Sequence, residues 1–248
     1  MMLKPLIINL IVAHTLMFGL WLMYKHQKIP LIADVFWSIG IATQALIYCL
    51  YTRTYPLLLL LLFIWAWRLS SFLYHTRFKK QHLDPRYESL AAQSAQDPGR
   101  FFLLNFQIQA FLQFLVASVW FFLCQTAIPL PLTMISAGVI ITGLCIEIHA
   151  DKCLANFKQH GTGVCQLGLW RYSRHPNYFG ELLIWFGFSI ASRHYLGLVS
   201  PLVLLLIMRF ITGPLSERLS LEHKGQRYAA YQQATPMIFP YKIFSAKF

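Results

Sequence analysis

The residues best suited to chemistry lie in one stretch, GLWRYSRHPNYFGELLIW, residues 168–185. Arg171, Arg174 and His175 stand just before Pro176, a residue suited to the first turn of a helix. Asn177 is placed to cap the amides that follow, and Asn177, Glu181 and Trp185 are spaced by four, so they share one helix face. Free helix-start amides, the helix dipole and two guanidinium groups together make an anion site. The plain alternative is a basic loop resting on lipid headgroups, which needs no Asn, Glu or Pro at these spacings. Glu147 and Asp151, four apart, also share a helix face. Asp34, Arg68 and Arg209 fall within apolar segments, where ionisable groups are costly and face a cavity or a partner. Structural pairing between helices, such as Asp34 with Arg68, is the alternative there.

The elements that must position these groups follow from composition. Of 248 residues, 57% are hydrophobic and 12% charged. A soluble domain carries about 25% charged residues. Half of that leaves too little charge to solvate a globular surface, which argues against a soluble enzyme, a disordered chain or a secreted disulfide scaffold. The fold class expected is all-α: a polytopic membrane protein of about seven transmembrane helices with a polar cytoplasmic C-terminal face. A span needs about 20 apolar residues, and seven candidates occur near residues 6–24, 29–51, 56–74, 105–126, 130–149, 178–192 and 195–212. The sixth is short. The first is read as an uncleaved anchor.

The net charge of +12 arises between the spans rather than on one solvated face, so loops beside a membrane explain it better than nucleic acid does. Lys25 and Lys28, five cations over residues 75–104, four over 150–177 and five in the tail lie on one side, against Lys4, Arg53 and Arg193 on the other. The positive-inside rule puts the N-terminus out and the C-terminus in the cytoplasm. Cys49, Cys124, Cys145, Cys153 and Cys165 form no CxxC pair and are read as reduced and structural. His and Cys do not cluster at ligand spacing, so no metal site is expected. No repeat or linker divides the chain, so residues 1–248 are read as a single domain, with N-terminal helices over about 1–104 and the remainder over 105–248. Matched broken helices, the mark of an inverted-repeat transporter, are not evident. The expected partners are the lipid bilayer and a hydrophobic small molecule; no protein partner is inferable.

RYSRHPNYFGE resembles the C-terminal signature of steroid 5-alpha-reductase-like membrane proteins, above all the bacterial branch known as a domain of unknown function. DVFW at Asp34, RLSSFLYHTRF, DPRY at residues 84–87 and YAAYQQATPMIFPY extend the resemblance over roughly residues 30–241. It places residues 105–248 in the reductase-like part and implies a bacterial inner membrane. The RHPxYxG core is shared with isoprenylcysteine carboxyl methyltransferases, so S-adenosylmethionine is the alternative cofactor to NADPH. The acid at Glu181, next to Gly180, follows the reductase pattern. By resemblance, Asp151, Lys158, Asn177 and Glu181 fall at cofactor-contacting positions. Arg77, Arg86, Lys158, Arg171 and Arg174 could meet the phosphates, and His175 and Tyr178 complete the set.

The activity implied is hydride transfer to the β carbon of an enone in a lipid-like or steroid-like substrate. Tyr74, three residues before Arg77, matches the placement of the catalytic tyrosine; its plain alternative is a tyrosine of the interfacial belt. Asp34 is the acid available to orient Tyr74. The chain departs from the reductases in having Thr162 and Gly163 where they carry a Tyr-Arg pair, and Glu217 and Leu221 where their tail carries a His and a Tyr. A fold retained without chemistry is the remaining class.

Overall fold

The computed structural model describes residues 3–79, 97–125 and 127–241. Every regular element among them is helical. The helices are α1 (Leu3–Gln27), α2 (Ile32–Tyr51), α3 (Pro56–Leu73), α4 (Pro98–Ala117), α5 (Val119–Gln125), α6 (Leu130–His160), α7 (Pro176–Ser192), α8 (Val199–Ile207), α9 (Gly213–Lys224) and α10 (Gln226–Ala234). Six helical runs among the described residues are long and apolar enough to cross a membrane: Leu3–Gln27, Ile32–Tyr51, Pro56–Phe78, Pro98–Gln125, Leu130–His160 and Tyr195–Lys224. The seventh expected span is α7, whose 17 residues sit at the short end of the length a crossing needs. Two runs outreach their expected ends by about three turns. α6 continues to His160, and the last run passes through a π turn, Met208–Thr212, to Lys224.

The chain forms two compact units, Met1–Ala137 with Phe188–Val203, and Gly138–Gly187 with Leu204–Phe248. In the first, α1 packs on α4 and α2, and α2 packs on α3. The buried residues of α1 (Pro5, Asn9, Ala13, Met17, Leu20 and Tyr24) recur every three or four positions, which makes one stripe. Phe102, Phe106 and Ala110 of α4 meet it, with the Tyr24 and Phe102 rings 4.8 Å apart. Ile7 and Ile11, on other faces of α1, are more than half exposed. In a bilayer such residues meet lipid, so packing and polar contacts must hold the helices together. Gln113 does so here. It accepts from Gln44 Nε2 at 3.1 Å and donates to the Trp37 carbonyl at 2.7 Å. Gly40 makes room, since a Cβ there would lie 2.2 Å from Gln113 Nε2. Pro98 at the first turn and the Asp97 side chain, which accepts from Arg100 N at 3.0 Å, fix the start of α4.

The second unit is built around Trp170, packed with Ala150 and Cys165, its indole N–H bonded to the Ala150 carbonyl at 2.9 Å. Gly225, at φ 53°, ends α9 in a conformation that suits glycine and turns the chain into α10. The tail then runs beside the residues that lead into α7. Arg174 N donates to Pro236 O at 2.9 Å, and His175 N to Met237 O at 3.0 Å. The Tyr231 hydroxyl donates to the carbonyls of Trp170 and Ser173.

Candidate functional site

Within the second unit α6 and α7 touch backbone to backbone. A Cβ at Gly143 would lie 2.5 Å from the Gly180 carbonyl oxygen, and one at Gly180 would lie 2.7 Å from that of Gly143. Small residues allow such close approach between membrane helices. The crossing brings Glu147 and Asp151, on one face of α6, alongside the first turns of α7. All three acids of this region, Glu147, Asp151 and Glu181, are buried. Asn177 Nδ2 donates to Asp151 Oδ1 at 3.3 Å, and Glu181 Oε1 accepts from Trp185 Nε1 at 2.9 Å. The carbonyl oxygen Oδ1 of Asn177 is buried with no hydrogen bond among the described residues. The expected capping by Asn177 is not made. Asn177 lies inside α7, after Pro176, whereas a cap must precede the helix.

A second cluster holds the loop into α7. Glu217 of α9 is buried, and both of its carboxylate oxygens are engaged. Arg174 approaches it as a fork, Nε to Oε1 at 2.7 Å and Nη2 to Oε2 at 3.1 Å. His175 Nε2 lies 3.1 Å from Oε1, and Gln232 Nε2 donates to Oε2 at 2.8 Å. Arg174 Nη1 donates to the carbonyls of Gln232, at 2.8 Å, and Thr235, at 2.6 Å. Tyr178 stacks on His175 with ring centres 4.8 Å apart. Nearby, burial pushes the Tyr228 phenol up to about 12, so it stays protonated as a neutral wall of this unit.

The structure thus divides the expected cofactor set. Asp151, Asn177 and Glu181 come together at the helix crossing. Arg174, His175 and Tyr178 form the cluster around Glu217. Lys158, on the last turn of α6, and Arg171, at the end of a short 3-10 turn, are exposed. Arg86 and the rest of DPRY lie outside the described residues. Sequence reasoning noted Glu217 only as a departure from the reductases. Its signal was scarcity, since the whole chain carries nine acidic residues.

Arg77, Asp34 and Tyr74 belong to the first unit. Arg77 Nη1 lies 3.9 Å from Asp34 Oδ2. Tyr74 opens a π turn, Tyr74–Phe78, and stacks on Phe78 with centres 5.6 Å apart. Such turns recur at functional sites. Tyr74, Ser70 and His75 form the polar end of a groove of about 850 Å³ whose walls are apolar side chains of α2 and α3, among them Val35, Ile39 and Phe63. Ser70 fixes that end, donating to Val35 O at 2.7 Å, with its Oγ 2.7 Å from that of Ser38.

Residues 20–235 match the family described as "Protein of unknown function (DUF1295)". Among curated relatives, the 3-oxo-5-alpha-steroid 4-dehydrogenase 1 of Homo sapiens is 40% identical over 65 residues, 25% of each chain. That of Rattus norvegicus is 31% identical over 108 residues, 42% of this chain and 39% of the relative. The steroid 5-alpha-reductase DET2 of Gossypium hirsutum is 32% identical over 62 residues, 24% of each. The chain therefore spans between a quarter and two fifths of the length of these relatives. No solved structure matches it. A family match over most of the chain, six membrane-length helices and these relatives lead to one conclusion: the chain belongs to the DUF1295 family and is a steroid 5-alpha-reductase-like integral membrane protein.

Proposed function

We propose that the protein is a membrane reductase that uses NADPH to reduce a carbon–carbon double bond conjugated to a carbonyl, in a lipid-like or steroid-like substrate. The observation that supports this most is the Asp151–Asn177–Glu181 group. Asn177 Oδ1 is a buried acceptor with no hydrogen bond among the described residues. A buried polar atom left so costs about 1–3 kcal/mol. The carboxamide N–H and ribose hydroxyl groups of a nicotinamide cofactor are donors of the kind this acceptor-rich lining fits. Lys158 and Arg171, both exposed, suit its phosphates. Arg174, His175 and Tyr178 serve by holding the loop against Glu217. The names of the relatives, 3-oxo-5-alpha-steroid 4-dehydrogenases, point to the same reaction class.

NADPH supplies a hydride when bound. The Tyr74 hydroxyl donates to the substrate carbonyl oxygen, where negative charge develops as the double bond is reduced. Asp34 orients the tyrosine, and Arg77, 3.9 Å from the Asp34 carboxylate, holds that acid in place. The replacement of the reductases' tail His and Tyr by Glu217 and Leu221 argues for a substrate other than a steroid. The protein lies in a bacterial inner membrane with its N-terminus out and its C-terminus in the cytoplasm, the side of the cation-rich loops.

The test is a thermal-shift comparison of NADPH, NADH and S-adenosylmethionine on the detergent-purified chain, followed by NADPH oxidation with a panel of lipid-like enones. NADPH is expected to raise the melting temperature most. Binding of S-adenosylmethionine without NADPH binding overturns the reading in favour of a methyltransferase.

A further inference from the structure

Cys49 and Cys124 are 75 residues apart in sequence and meet in the first unit with their Sγ atoms 3.5 Å apart. Both are buried, at 3% and 1% exposure. Cys49 lies in the last turn of α2 and Cys124 in the last turn of α5. Other contacts gather the same end of the unit. Arg53 N donates to the Cys124 carbonyl at 3.3 Å, and Arg193 Nη1 donates to the Ala127 carbonyl at 2.9 Å. The turns after α2, α5 and α7 are therefore neighbours. Arg53 and Arg193 are two of the three cations of the poorly charged side of the sequence. On the orientation proposed above, on which this inference rests, that end faces away from the cytoplasm, into a compartment where disulfides form and persist.

We propose that Cys49 and Cys124 are joined as a disulfide in the mature protein, clamping α2 to α5 at the non-cytoplasmic end. Bonding brings the sulfurs from 3.5 Å to about 2.05 Å, a closure of about 1.5 Å. The oxidant is a disulfide-bearing thiol oxidoreductase. One cysteine thiolate attacks a sulfur of the oxidant's disulfide, which breaks as a mixed disulfide forms. The second cysteine then attacks the mixed disulfide and releases the oxidant as a dithiol. The two cysteines lose two electrons, the oxidant gains them, and the two thiol protons end on its two sulfurs. Because both thiols are buried in the fold, exchange precedes the docking of α5 on α2.

The second unit supplies a contrast. Cys153 packs against Cys165 in the Trp170 core, within the cation-rich segment 150–177. On the cytoplasmic side this pair stays reduced.

The experiment is thiol counting on the full chain expressed in a bacterial inner membrane and denatured directly into excess N-ethylmaleimide. Three of the five cysteines are expected to take label before reduction and all five after it, with a cross-linked peptide joining Cys49 to Cys124. Cys124→Ser should release Cys49 and leave four cysteines, all labelled. Five labels without reduction overturn the proposal. The reason is then read from Arg53→Cys in a Cys49→Ser/Cys124→Ser background, probed on spheroplasts with a membrane-impermeant maleimide. Labelling there keeps the orientation and locates the failure in the cysteine pair. No labelling means that the orientation itself has failed.

Discussion

Gly143 and Gly180 sit so close that neither tolerates a Cβ: one at Gly143 would lie 2.5 Å from the Gly180 carbonyl oxygen and 2.9 Å from the Ile184 amide nitrogen. These are backbone atoms of a helix and cannot rotate away as a side chain end would. Gly143→Ala or Gly180→Ala should cost about 1–3 kcal/mol or more, seen as a lower melting temperature in detergent. Gly138→Ala on the same helix meets nothing within 4 Å and should be neutral. Equal melting of all three variants would refute a role for the crossing.

The Glu217 cluster makes a second prediction. Arg174 and Glu217 side chains are 12% and 9% exposed, so removing one partner strands the other charge. Glu217→Ala should cost about 3–5 kcal/mol. Arg174→Lys should also destabilise, because an ammonium cannot reproduce the fork. Arg218 and Glu222, 75% and 51% exposed at 3.0 Å, form the comparison pair, and Arg218→Ala should cost about 0–1 kcal/mol. Thermal melts of the purified variants decide between the two scales.

At the helix crossing, Asn177→Ala and Glu181→Gln should each weaken NADPH binding about tenfold, the effect of losing roughly one hydrogen bond of 1.4 kcal/mol. Titration calorimetry with folded variants reads this directly. Unchanged affinity in both would move the cofactor away from this group.

Tyr74→Phe removes a donor that matters only as charge develops, so it should lower kcat at least tenfold while leaving NADPH affinity intact. Asp34→Asn should follow it or lose stability through the Arg77 contact. Steady-state kinetics on an established enone substrate is the measurement, and full activity of Tyr74→Phe places the donor elsewhere.

Reporter fusions test the orientation. A fusion at Phe248 should report from the cytoplasm and one in the turn 52–54 from the opposite side. The reverse pattern at either site refutes it.

The sequence by itself determined the class of solvent around the protein and the start of its most informative helix. Low charge and long apolar runs are additive properties of composition, and they require lipid whatever the chain path. Pro176 begins α7 because its ring fixes a helical φ and its missing N–H has no partner there to lose, which is a local effect. The short sixth segment was equally legible, since length is counted along the chain. The tertiary structure decided the partners. Arg174 looked like a phosphate ligand from its neighbours, yet it reaches a glutamate 43 residues away, because the tail folds back beside the loop. Asp34 lies against Arg77, which local spacing did not single out from Arg68. Gly143 and Gly138 read alike in one apolar run, and only the crossing of a second helix separates the glycine that must stay small from the one that faces open space.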